Sequence, residues 1–198
     1  MMFFIFFCFV GIGHALSLQK KTKQIKNQHQ TSNKKNQHQK FTIQHQLKMS
    51  IHKVKINWKN EKEDFSYFAY DRTHTWEFEG GKIMQASAAP EYMGAIEYIN
   101  PEEALAAALS SCHMMSFLYV ASKKKFVLES YEDDSEALLE KNANNKMAIT
   151  KMYLKPKITF RGENQPDKAA IDALHHLAHE ECFIANSVLT EIIIDPVY

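Results

Sequence analysis

The feature that most constrains this fold is a stretch that is apolar almost all round, from Ala104 to Val120. Asn100 and Pro101 precede it, and these residue types favour a helix N-cap and the first helical position. Three lysines beginning at Lys123 are typical of a helix C-terminal end. Residues 101–122 are therefore predicted to form one long helix. A helix that is apolar on every face is buried on every face, so we expect it to be the central helix of its domain.

Short segments with strand character surround this helix in the sequence. Alternation of apolar and polar residues, together with turn residues between the segments, indicates strands and their boundaries. The predicted strands cover residues 51–58, 65–70 (as the hairpin partner of the first), 73–79, 126–139, 147–160 and 188–194. Residues 84–99 are predicted to be a loop, and residues 166–181 a second helix. The order β-β-β-α-β-β-α-β indicates an α+β domain with antiparallel sheet around one central helix.

The predicted central helix also bears on assembly. A domain of about 150 residues with few helices has little material to cover a helix on all sides. A second copy of the chain would supply that cover. We therefore expect a homodimer with the helices of residues 101–122 at or near the interface.

Residues 1–48 differ from the rest of the chain. Met1–Ser17 is strongly apolar, too short to span a bilayer comfortably, and no positive charge precedes it. Lys-, Gln-, Asn- and His-rich sequence follows and is predicted to be disordered. Two interpretations compete: an export segment with a linker, or an extension upstream of a start at Met49. We favour the second and a cytoplasmic location, because the cysteine usage of residues 49–198 suits a reducing compartment. A functional signal would instead mean export.

The charge is divided unevenly along the chain. Residues 1–48 carry eight lysines and no acidic residue, which leaves 16 basic and 23 acidic residues downstream. A mildly acidic body gives no reason to expect nucleic-acid binding. We expect neither nucleic acid nor membrane as a partner.

Two of the three cysteines lie in residues 49–198, and they are the candidate reactive groups. Cys112 lies within the central helix, and Cys182 follows the second helix. Three cysteines with one at the extreme N-terminus do not form a disulfide framework. A buried thiol is usually inert packing, whereas two thiols that the fold brings together can form a redox centre. In that case Cys182 would resolve a sulfenic acid formed on Cys112.

Activation of Cys112 requires a positive group, because a position ten residues into a helix gains little from the helix dipole. Arg72 is the best candidate of two arginines, the other being Arg161. Glu102 could orient Arg72, but it lies about 15 Å from Cys112 along a straight helix. The helix would have to bend, or the site would have to be assembled across a dimer. Alternatively, Glu102 serves only the helix dipole and Arg72 is a surface charge.

Two other readings of the sequence are weaker. His175, His176 and His179 invite a metal site, but no second pair of ligands stands out, and zinc needs three or four. We interpret them as surface histidines and expect no metal or other cofactor. A hydrolase built on Cys112 and His113 is disfavoured, since neighbours on a helix point about 100° apart.

The two cysteine motifs resemble those of a known family. The run from Asn100 to Cys112 (Asn-Pro-Glu-Glu-Ala-Leu-Ala-Ala-Ala-Leu-Ser-Ser-Cys) is similar to the Asn-Pro-Glu-Glu…Cys signature of the OsmC/Ohr family of osmotically inducible and organic hydroperoxide resistance proteins. The run from Glu181 to Ser187 resembles the family's second motif, usually Cys-Pro-(Val/Ile)-Ser-Asn. Phe183 and Ala185 stand where proline and serine are common.

This resemblance implies an OsmC-like intertwined α+β homodimer, with antiparallel sheets around a long central helix and two sites at the interface. It implies a cysteine-based peroxidase that reduces organic hydroperoxides to alcohols, with H2O2 as a second candidate substrate. On the family's pattern Cys112 is the peroxidatic thiolate, Cys182 the resolving thiol, Glu102 the carboxylate and Arg72 the arginine of an early loop. An external dithiol, for some relatives a dihydrolipoyl protein, would reduce the disulfide. The alternative is a non-enzymatic stress-response binding protein or redox sensor.

Overall fold

Two α-helices, two short 3-10 helices (Pro90–Tyr92 and Ala185–Ser187) and eight strands make up the part of the chain that the computed structural model describes, residues 49–198. The α-helices are α1 (Pro101–Lys123) and α2 (Lys168–Glu181). The strands are β1 (Val54–Asn57), β2 (His74–Phe78), β3 (Ile83–Ala86), β4 (Val127–Asp133), β5 (Glu136–Lys141), β6 (Met147–Leu154), β7 (Pro156–Arg161) and β8 (Glu191–Ile194). The expectations for residues 1–48 lie outside the described residues. The predicted α+β class with a long helix is confirmed.

The N-terminus of α1 is fixed by a capping box. The Asn100 side chain accepts a hydrogen bond from the Glu103 backbone N–H at 2.8 Å, and Glu103 Oε2 accepts one from the Asn100 backbone N–H at 3.2 Å. Pro101 occupies the first helical position, as predicted. The two reciprocal bonds satisfy backbone donors that a helix start would otherwise leave unpaired. These two bonds fix Asn100 as the N-cap, so that α1 begins at Pro101.

Within one chain, α1 buries a single stripe rather than its whole circumference. The buried positions recur every three or four residues, at Ala106, Leu109, His113, Phe117, Val120 and Ala121. On the other side Met115 is 61% exposed and Tyr119 is 56% exposed. The prediction of burial on every side is therefore wrong for the isolated chain, where one face of α1 stays open.

The strands form three small sheets. Their orders are β1-β2-β3, β4-β7 and β5-β6-β8. All pairs are antiparallel except β6 with β8, which is parallel. The first half of α1 packs against the sheet that contains β6, through Leu109, Met152 and Leu154. Its second half packs with α2 against the β4-β7 sheet, so α1 bridges two separate cores.

Several predicted strands differ from the structure. Residues 65–70 form turns instead of a strand, and β1 pairs with β2. The predicted loop of residues 84–99 begins inside β3. The predicted long strands 126–139 and 147–160 are each divided, into β4 with β5 and β6 with β7. Asp133 accounts for the division. Its Oδ1 accepts a hydrogen bond from the Lys155 backbone N–H at 2.6 Å, at the point where both long segments pass from one sheet to another.

Candidate active site

The fold brings the two candidate thiols together. Cys112 lies midway along α1, and Cys182 caps the C-terminal end of α2. Both are free thiols; Cys182 has no solvent exposure, while Cys112 is partly exposed. They pack in one cluster with Leu109 and Met152. The packing of α1 on α2 therefore brings together two cysteines that are 70 positions apart in the sequence.

Consecutive backbone N–H groups of the turn after α2 face the two sulfurs. The Ile184 N–H donates to Cys112 Sγ at 3.5 Å, and the Ala185 N–H donates to Cys182 Sγ at 3.4 Å. The turn is held by its own hydrogen bonds, from the Asn186 N–H to the Cys182 carbonyl and from the Ser187 N–H to the Ile184 carbonyl, each at 3.0 Å. The donors are therefore fixed in place before any charge develops.

Cys182 is a poorly acidic thiol. Burial raises the pKa of Cys182 from 9.0 to about 11; the Ala185 N–H and, more weakly, the Ile184 N–H oppose this rise, and the neighbouring Cys112 thiol adds to it. An uncharged sulfur in a hydrocarbon cluster is favoured because the thiolate loses its hydration there. At neutral pH, Cys182 is a thiol.

Arg72 belongs to an aromatic loop in this chain. Its guanidinium donates to the Tyr70 carbonyl at 3.1 Å and to the Tyr67 carbonyl at 2.8 Å. It also stacks on the Tyr70 ring, 4.1 Å from the ring centroid. Together with Trp58, it lines a cavity of about 410 Å³ that reaches Pro101 at the start of α1. No salt bridge among residues 49–198 joins Arg72 to a carboxylate.

Glu102 lies in the first turn of α1 and lines a different cavity, of about 440 Å³, with Glu91 and Leu139. The capping-box partner is its neighbour Glu103. Within one chain the structure thus brings together Cys112 and Cys182, while Arg72 and Glu102 line separate cavities beside the start of α1.

A buried pair of histidines lies between α1 and α2, and its first member, His113, directly follows Cys112 in the sequence. His113 Nε2 lies 3.0 Å from His175 Nδ1, across the contact between α1 and α2. The rings are parallel to within 5°, but their centroids are 5.4 Å apart. The distance between the ring centroids is longer than the distance between the two nitrogens by about the radius of both rings together. The rings therefore lie edge to edge in nearly one plane, and not face to face. This geometry places one shared proton between the two nitrogens.

Burial keeps this pair uncharged. It lowers the pKa of His113 from 6.5 to about 3, with His175 and His179 contributing further, and it lowers the pKa of His175 to about 4. The prediction of surface histidines is thus wrong for His175, which is 3% exposed, whereas His176 is exposed. Across residues 49–198, no group of three or more His, Cys, Asp or Glu side chains is arranged to hold a metal ion.

Sequence reasoning missed the two backbone donors and the histidine pair. Backbone N–H groups leave no signal in residue type, so only the turn geometry reveals Ile184 and Ala185. The burial of His113 and His175 could have been predicted, because each histidine lies on the apolar stripe of its own helix.

Comparison with known proteins identifies the family. The sequence model described as "OsmC-like protein" matches residues 94–196, more than half of the chain. An OsmC-like protein of unknown function from Vibrio cholerae is 43% identical, with a TM-score of 0.73 over 75% of this chain and all of that one. The chain belongs to the OsmC-like family. Cys112 and Cys182 of this OsmC-like protein lie inside the matched region.

More distant structures share the fold of this OsmC-like protein. An organic hydroperoxide resistance protein OsmC from Legionella pneumophila is 20% identical, with a TM-score of 0.56 over 76% of this chain and 99% of that one. The organic hydroperoxide resistance protein OhrB of Bacillus subtilis is 16% identical, with a TM-score of 0.56 over 75% and 98%. No curated protein matches the sequence.

Proposed function

We propose that this OsmC-like protein is a cysteine-based peroxidase that reduces organic hydroperoxides, and H2O2 as a smaller substrate, to alcohols or water. The observation that carries the proposal is the pairing of a partly exposed thiol, Cys112, with a buried thiol, Cys182, under two fixed N–H donors. Two thiols in contact, one open to solvent and one enclosed, suit a reactive and a resolving role. The names of the Legionella and Bacillus relatives point to the same substrate class.

The proposed cycle balances with these two sulfurs. The Cys112 thiolate attacks the outer peroxide oxygen, so an S–O bond forms, the O–O bond breaks, and the alkoxide takes a proton to leave as alcohol. Sulfur is oxidised and the peroxide is reduced. Cys182 then attacks the Cys112 sulfenic acid; an S–S bond forms, and the proton of Cys182 leaves with the hydroxide as water. An external dithiol, such as a dihydrolipoyl protein of a reducing compartment, reduces the disulfide.

A homodimer belongs to this proposal. One face of the first sheet is apolar and open: Val54 pairs with Phe78, and these side chains are 51% and 38% exposed. Ile56, on the same face, is 54% exposed. β1–β3 make few contacts with the helices of their own chain. A second copy seated on this face and on the open side of α1 would bury both surfaces.

The dimer would also decide the roles of Arg72 and Glu102. In one chain Arg72 is bound within its own aromatic loop. The proposed assembly brings the Arg72 loop and Glu102 to a Cys112 from the other copy, where the guanidinium would stabilise the thiolate. If Arg72 never meets Cys112, the fold and the thiols remain but turnover is slow, as in the alternative of a binding protein or redox sensor.

The test is peroxide consumption in the presence of dithiothreitol. With cumene hydroperoxide, we expect fast loss of peroxide for the wild type and none above background for Cys112→Ser, because the nucleophile is gone. Cys182→Ser is the matched control and is assayed without dithiothreitol, because a free dithiol would reduce the sulfenic acid: it should still consume one equivalent of peroxide and accumulate a sulfenic acid that dimedone traps on Cys112.

Equal, slow peroxide loss in the wild type and in Cys112→Ser would contradict the enzyme and leave the redox-sensor alternative. Mass spectrometry of the dimedone adduct assigns the oxidised sulfur in the same samples. An adduct on Cys182 in the wild type would reverse the proposed roles.

A further inference from the structure

We propose that the backbone N–H groups of Ile184 and Ala185 form a thiolate-stabilising pocket at this site, with the Ile184 N–H directed at Cys112 and the Ala185 N–H at Cys182. This inference rests on the proposed function and adds a catalytic element to it. The pocket is built within one chain, from the turn after α2, so it is in place before a partner copy adds the Arg72 guanidinium. Its two donors are adjacent in sequence and reach two sulfurs from different helices.

The chemistry of successive N–H groups supports this role. Neighbouring backbone N–H groups in a turn can form a concave region of positive potential that binds anions. Hydrogen bonds to an ionised acceptor are stronger than those to a neutral one, so each donor favours the thiolate over the thiol. Both donors already point at sulfur, and the enclosed environment of Cys182 strengthens such interactions.

The turn is organised for this task before the reaction begins. Bonds from Asn186 and Ser187 to carbonyls of the same turn fix its backbone, and the Asn186 side chain donates to the Glu180 carbonyl at 2.9 Å. Donors held in place in this way need not reorganise when charge appears on sulfur. The same pocket serves both half-reactions: Ile184 stabilises Cys112 as attacking thiolate, and Ala185 stabilises Cys182 when it loses its proton to resolve the sulfenic acid.

The donor to Cys112 can be removed by proline. Ile184 has a φ of −68°, which is the value that proline imposes, so Ile184→Pro deletes the N–H at a compatible backbone angle. Ile184→Ala is the matched control, because it loses the side chain and keeps the donor. We expect alkylation of Cys112 by iodoacetamide at pH 7, followed by mass spectrometry, to slow about tenfold in Ile184→Pro relative to Ile184→Ala.

A second variant covers the case in which proline disturbs folding. Cys182 is a natural ligation junction, so a synthetic peptide from Cys182 to Tyr198 can carry an ester in place of one amide in the full chain. An ester at Ile184 should slow Cys112 alkylation as proline does. An ester at Ala185 should leave that rate unchanged and slow disulfide formation, and an ester at Phe183, whose N–H donates to neither sulfur, should change neither rate.

Wild-type alkylation rates in the folded Ile184 ester would overturn the proposal. Alkylation needs no peroxide, so the pocket and the peroxidase activity are tested separately. Slower alkylation in the Ile184 ester, together with an unmodified protein that consumes no peroxide, would support the pocket and reject the peroxidase.

Discussion

At the residue scale, two sulfurs and two imidazoles meet where α1 packs on α2. Cys112 and Cys182 stand in distinctive motifs, so residue type alone singles them out as candidates. The N–H donors of Ile184 and Ala185 depend on the path of the backbone, which side-chain pattern does not encode. The pairing of His113 with His175 depends on how two helices face each other. Residue type predicts which atoms can react, and tertiary contact decides which atoms meet.

The histidine pair predicts a pH dependence of stability. The unfolded chain takes up protons on His113 and His175 below about pH 6.5, whereas the folded protein resists until about pH 4 and below. Protons therefore favour unfolding, and stability falls as pH drops through this window, by about 1 kcal/mol per pH unit for each imidazole. Urea unfolding at pH 7 and pH 5 measures the effect.

Matched variants assign this dependence. The double variant His113→Leu with His175→Leu removes both groups together and should flatten the loss of stability between pH 7 and pH 5. His176→Gln, at an exposed site one residue away, should leave the wild-type slope intact. If the unfolding free energy of the double variant still fell between pH 7 and pH 5 as in the wild type, groups other than His113 and His175 would be responsible for the pH dependence.

At the element scale, α1 was predictable because its signals are local. Asn100, Pro101 and the closing lysines mark both ends, and the structure places them there. The division of the long strands was not predictable, since alternation in sequence continues through a bend. The Asp133 carboxylate stabilises that bend by accepting hydrogen bonds from the Lys155 backbone N–H and from the Ser110 hydroxyl of α1. Both partners are distant from Asp133 in the sequence.

The turn that leads into α1 supplies a prediction at this scale. A Cβ added at Gly94 would lie 1.6 Å from the Ala88 carbonyl oxygen, a backbone atom that cannot move aside cheaply. Gly94→Ala should therefore destabilise the protein by roughly 3 kcal/mol or more. Gly80→Ala is the control, because a Cβ there meets nothing within 4 Å, and the change should stay within about 0.5 kcal/mol. Thermal unfolding compares the two; equal melting temperatures would show that the turn opens freely.

At the scale of the whole molecule, the open apolar surfaces are the basis of the proposed dimer. By length and composition α1 could cross a membrane, yet its packing on α2 and two sheets is that of a core helix. The first sheet has an apolar face with Val54 and Ile56 and a polar face with the ion pair of Lys55 and Glu77. Such a two-faced sheet with few contacts to its own helices fits an interface between copies.

Variants on the two faces test the dimer. Ile56→Glu puts a charge on the apolar face and should give a monomer of 22.9 kDa in sedimentation equilibrium, whereas the wild type should have twice that mass. Lys55→Gln, on the opposite face, should remain dimeric. Peroxide consumption should fall with dissociation if Arg72 acts across the interface. A monomeric wild type would remove the dimer from the proposed site.

The complete enclosure of Cys182 has a consequence for the return half of the proposed cycle. An incoming reductant can collide only with a sulfur that it can reach, so the mixed disulfide would form on Cys112 and expel Cys182. A weakly acidic sulfur is a slow leaving group, and the Ala185 N–H eases its departure. Regeneration would then favour a slender dithiol on a flexible tether over the broad surface of a folded reductase.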